Sequence, residues 1–124
     1  MTDPRERRQH PRTDIRLSAG VRRPGEGEAV SVTTLNVGAG GVYVEVPHFI
    51  EPLTKLEIAL DLPTPAGPVH VEADAIVVRT QPEQASASVH SYEVACAFLS
   101  MTDQHREAIH RWVAAQRLQG AGRR

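Results

Sequence analysis

Leu56, Ile58, Leu60 and Leu62 alternate without a break with Lys55, Glu57, Ala59 and Asp61. A period of two places successive side chains on opposite faces of an extended chain, so this segment reads as a half-buried strand. The same alternation returns in Ile15, Leu17, Ala19 and Val21, in Val42, Val44 and Val46, in Val69 to Val77, and in Tyr92, Val94, Cys96 and Phe98. Val30 to Leu35 adds a β-branched strand. Turn chemistry separates the strands: Pro24-Gly25-Glu26-Gly27, the loop Pro47 to Thr54, and Pro63 to Pro68. Gln81 to Ser88 is polar and reads as a mobile connection, and Asn36 to Gly41 interrupts the strand pattern. After the sixth strand the period changes. Ile109, Trp112 and Val113 form an i, i+3, i+4 stripe, Ser100 or Thr102 can cap the helix, Asp103 suits its first turn, and Gly120 ends the pattern. Six short strands followed by one helix predict an all-β barrel or sandwich with the helix laid across it, since such a helix is marginal alone.

The 124 residues fit one domain, large enough to bury a modest core without a metal or disulfide staple. A single cysteine, Cys96, excludes a disulfide framework and a cysteine-rich zinc site. No apolar run is long enough to cross a membrane, and no apolar stretch follows the charged first residues. A soluble cytoplasmic domain without membrane insertion is the expectation. Net charge is −1, but it is unevenly spread. Residues 1–23 hold seven of the 14 bases, all arginines, and only three of the 15 acids, leaving seven bases against twelve acids in the remainder. A basic arm is thus joined to a mildly acidic body. Arginine's planar fork suits phosphate, carboxylate and flat aromatic faces.

Two segments carry the functional signal. The arm contains Arg7-Arg8-Gln9-His10-Pro11-Arg12, hence Arg-x-x-x-Arg at Arg8 and Arg12. Asn36-Val37-Gly38-Ala39-Gly40-Gly41 lies between two strands. Guanidinium groups fork onto phosphate oxygens or the guanine O6/N7 edge and stack on base faces. Asn36 offers both an acceptor and donors, whereas glycine permits a positive φ or a close approach. No helix follows the glycines, so they are not a dinucleotide fingerprint.

In this order, followed by this strand pattern, the two segments resemble the PilZ domain, a bacterial receptor for cyclic dimeric GMP (c-di-GMP). The family pattern is Arg-x-x-x-Arg, then Asp/Asn-x-Ser-x-x-Gly. Arg8 and Arg12 match the first motif, and Asn36, Gly40 and Gly41 the second, while Gly38 stands where the family has serine. The resemblance implies a six-stranded antiparallel (Greek-key, split) β-barrel with a flexible N-terminal arm and one C-terminal α-helix. The implied division is arm 1–12, barrel and helix 13–118, and tail 119–124. The ligand residues it implies are Arg7, Arg8, Arg12, Asn36, Gly38, Gly40 and Gly41, with c-di-GMP as ligand and no cofactor. The implied function is a non-enzymatic receptor or adaptor that relays c-di-GMP to an unidentified protein in motility, biofilm or exopolysaccharide control. The alternative is a PilZ-type interaction adaptor that binds no nucleotide. Nucleic-acid binding is disfavoured by the acidic body and scarce aromatics. None of His10, His48, His70, His90, His105 and His110 forms a zinc-helix spacing, although His10, between the motif arginines, is a further candidate to touch the ligand. Cys96 reads as a small core residue and Trp112 as an anchor of the helix.

Overall fold

A computed structural model describes residues 12–13 and 17–121. The elements are β1 (Arg12–Thr13), β2 (Ser18–Arg22), β3 (Val30–Gly38), β4 (Gly41–Val46), β5 (Lys55–Leu62), β6 (Val69–Gln81), β7 (Tyr92–Ser100) and α1 (Asp103–Ala121). All strand pairs are antiparallel. The ladder runs β3-β2-β5-β6-β7-β4 and closes through a β3–β4 pairing, giving the expected six-stranded barrel with a C-terminal helix. Closure leaves no long unpaired edge. β1 is an addition to this ring: it shares β3's edge with β2, pairing beside Val37 and Gly38 while β2 pairs beside Val30 to Thr33.

Alternation explains the core. Leu56, Ile58, Leu60 and Leu62 are all buried, and the register partners Ala75, Ala73 and Val71 continue the pattern on β6, which is lost at the exposed Val69 opposite Leu62. Inward residues of all six barrel strands join one cluster with Ile109, Trp112 and Val113 of α1. The helix starts as its sequence requires: Thr102 Oγ1 accepts the His105 N–H at 3.1 Å, an N-cap with Asp103 in the first turn. It continues through Gly120 to Ala121, past the glycine expected to end it. Trp112 fills the interior and donates its Nε1–H to the Pro63 carbonyl at 2.9 Å, fastening α1 to the β5–β6 connection.

The connection expected to be mobile is tied back to the barrel. Tyr92 accepts the Ser86 N–H at 3.1 Å through its hydroxyl, and its ring meets Phe49 edge-on at 5.6 Å. These tertiary contacts are invisible in a polar stretch of sequence. On the outer face, Glu57 pairs with Arg22, and His70 bridges Asp61 at 2.9 Å and Glu72 at 2.7 Å. Among the described residues no cluster of His, Cys, Asp and Glu is arranged to hold a metal. No described helix is long and apolar enough to cross a membrane.

Two measurements check this account. Trp112→Ala removes a core aromatic and a hydrogen bond, so urea unfolding should show a loss of about 3–5 kcal/mol. The hydrogen bonds that His70 donates to Asp61 and then Glu72 raise its pKa above the ordinary 6.5. The resulting stabilisation is present in full below pH 6.5 and disappears as pH rises through the raised value. NMR titration should place the His70 midpoint above 6.5, and Asp61→Asn should move it down.

Candidate functional site

The site begins with a slip in register. β3 pairs Thr34 with Val44 and Val37 with Val42, but between them Asn36 pairs with Tyr43, leaving Leu35 as the extra residue of a bulge. Both Thr34 and Val37 face the core and are fully buried. They are three residues apart, which strict alternation forbids. The bulge reconciles them and turns Asn36 to the outer face beside Tyr43. Asn36 is nevertheless only 8% exposed. It is part of a strand, and β3 continues to Gly38, so only Ala39 and Gly40 form the turn that the sequence pattern spread over Asn36 to Gly41.

Each of the glycine motif's neighbours has a physical reason. A Cβ on Gly41 would lie 2.2 Å from the Cys96 carbonyl oxygen, so glycine is needed for the close approach of β4 to β7. Its φ lies outside the left-handed region, and close approach rather than turn geometry explains the residue. The Gly40 carbonyl accepts the Phe98 N–H at 3.0 Å, and the Ala39 carbonyl accepts from Arg106 Nη1 at 3.3 Å. The turn is therefore held by both β7 and α1. Burial pushes the neighbouring Cys96 thiol up to about 12, which keeps it protonated and unreactive inside the barrel.

Backbone pairing joins the two sequence motifs. Arg12 is the register partner of Gly38, and Thr13 of Val37. Leu17 is clamped to the same strand: its N–H donates to Thr34 Oγ1 at 2.9 Å, and its carbonyl accepts the Thr34 N–H at 2.8 Å. The chain is thus fastened to β3 on both sides of residues 14–16. Arg7, Arg8 and His10 lie outside the described residues.

Two residues absent from the sequence-based set join this surface. Cross-strand partners run Asn36–Tyr43–Ala95–Arg79 over four strands. The Arg79 guanidinium donates to the Tyr43 hydroxyl and lies 5.7 Å from its ring centroid. Alternation marks Tyr43 as outward, but only the β6–β7 register, itself bulged at Val77/Arg79, brings Arg79 to it. Between them Gly41, Ala95 and Ala97 leave a low floor. A flat floor, a guanidinium and a backbone turn suit a planar, anionic ligand.

The PilZ domain family model matches residues 6–115. This chain belongs to the PilZ domain family. Solved PilZ-like structures agree in fold. The Bacillus subtilis inhibitor of motility MotI superposes with a TM-score of 0.76 at 19% identity, covering 95% of this chain and 57% of that one. The K. pneumonia MrkH–c-di-GMP complex gives 0.66 at 14% identity, over 95% and 56%. The YcgR PilZ domain from Escherichia coli, solved with c-di-GMP, gives 0.65 at 11% identity, over 94% and 96%. The chain spans little more than half the length of the first two. No curated protein matches the sequence.

Gly41→Ala tests the packing argument for the PilZ glycine. The added methyl strikes backbone, so a loss of about 1–3 kcal/mol or more is expected in urea unfolding. Gly27→Ala, where an added Cβ meets nothing within 4 Å, should unfold at nearly the wild-type midpoint.

Proposed function

We propose that this PilZ domain is a c-di-GMP receptor without catalytic activity, in which the arm closes over the β3–β4 turn and the outer face beside it. The observation that carries the reading is the pairing of Arg12 with Gly38, which joins the arginine motif to the glycine motif through backbone hydrogen bonds. In this reading Arg8 and Arg12, with Arg7, bind phosphate and the guanine edges of the ligand. Asn36 meets a guanine edge, and Gly38, Gly40 and Gly41 let the ligand approach the backbone. Two of the structural relatives were solved with c-di-GMP, which supports the same ligand here. The signal passes to a protein partner because the ligand favours the arm-docked state, the state that completes its arginine contacts. MotI is an inhibitor of motility, which supports motility as one process for this receptor. A cytoplasmic setting fits a receptor for an intracellular messenger.

Gly38 favours a second reading, a PilZ adaptor that recognises a protein and no nucleotide. The missing serine hydroxyl is worth about 0.5–1.5 kcal/mol, against about 1.5–3 kcal/mol for each charge-assisted arginine contact. The receptor reading is therefore the stronger one.

Calorimetric titration with c-di-GMP, with GMP as control, separates the two. Binding at micromolar concentration or tighter is expected. Arg8→Ala or Arg12→Ala should each weaken it by about tenfold or more, and Gly38→Ser should strengthen it by up to about tenfold. Absence of binding in calorimetry and in a second assay at high protein concentration would leave the adaptor.

A further inference from the structure

One face of α1 is cationic and looks onto the glycine turn. At 3.6 residues per turn, Arg106, His110, Val113, Ala114 and Arg117 fall within about 100° of arc. Val113 is buried in the core, and Arg106 donates to the Ala39 carbonyl at 3.3 Å, so this face is fixed toward the β3–β4 turn. A groove of about 540 Å³ lies between them, with Ala39, Val113, Ala114 and the exposed Leu118 forming its apolar walls and His110 and Arg117 the polar ones. That volume is in the range of small-molecule sites. None of the described lining residues is acidic. Among the described residues His110 and Arg117 have no ion-pair partner, whereas Arg111, off this face, is held by Glu107 at 3.1 Å. The helix also packs against β1 and β3, so the groove opens where the arm joins the barrel.

We infer that α1 supplies a second wall of the nucleotide site, in which Arg106, His110 and Arg117 receive one phosphate of the ligand while the arm arginines hold the other. The inference rests on the receptor reading above and extends it to residues outside both sequence motifs. c-di-GMP carries two phosphates, so one can be met by the arm and the other by α1. Guanidinium forks and an imidazole N–H are suited donors to phosphate oxygens. Asp103 lies on the same arc at the start of the helix, but the described lining of the groove holds basic and no acidic side chains, which creates a local positive potential that an anion relieves.

The test titrates c-di-GMP into the full chain and its variants. Arg117→Ala should weaken binding about tenfold, and His110→Ala combined with Arg117→Ala should weaken it further. Arg111→Ala should bind as the wild type does. Both α1 sites are exposed, so melting temperatures should stay unchanged. In NMR spectra the Ala39 and Ala114 amides should shift on addition of c-di-GMP. Wild-type affinity in the double variant, together with loss of binding in Arg8→Ala, overturns the α1 wall and leaves the receptor reading standing. Absence of binding by the wild type overturns both.

Discussion

Barrel closure between β3 and β4 is the constraint on which the rest of the molecule depends. β3 must offer one edge to β4 and the other to β2 and β1 in succession. It must also keep Thr34 and Val37 in the core on either side of a change of phase. The bulge at Leu35 meets both demands at once. It bends the strand where the barrel closes and delivers Asn36 to the outer face within one residue of the fully buried Val37. The candidate site is therefore shaped by an irregularity in the pairing that closes the sheet.

Most of this architecture is legible in the chain because the core is built by alternation. Leu56 to Leu62 and Val69 to Val77 announce their strands, and their pairing fills the interior as the pattern demands. The change of period at Ile109 and Trp112 announces the helix. What the pattern does not announce is continuity through weak β-formers. Asn36 and Gly38 have low strand propensity, yet β3 runs through both because β4 pairs with Asn36 and β1 with Gly38. The polar stretch before β7 likewise owes its order to the Tyr92 hydroxyl, a contact no local pattern encodes.

The site was legible as two motifs but not as a surface. Arg12 and Gly38 stand far apart in the chain, and their spacing says nothing of a backbone pairing between them. Gly41 looks like a turn residue in sequence. Its requirement comes from the Cys96 carbonyl across the sheet. Arg79 reaches Tyr43 only through the bulged β6–β7 register, and Arg106 reaches Ala39 only because α1 is fastened by Trp112. Long-range register brings these residues together, and a one-residue slip of any of these strands would carry them to the opposite face.

Gly38 shows why the departure from the family pattern is tolerable to the fold. β1 meets β3 through main-chain groups, so the register of Arg12 against residue 38 is independent of whether a serine or a glycine stands there. The substitution removes a hydroxyl without moving the strand to which the arm is fastened. In the receptor reading its effect falls on one ligand contact, about 0.5–1.5 kcal/mol, and not on the position from which the arginines act. Main-chain pairing thus fixes Arg12 and Thr13 against β3, and in the receptor reading the side chains are left to set affinity.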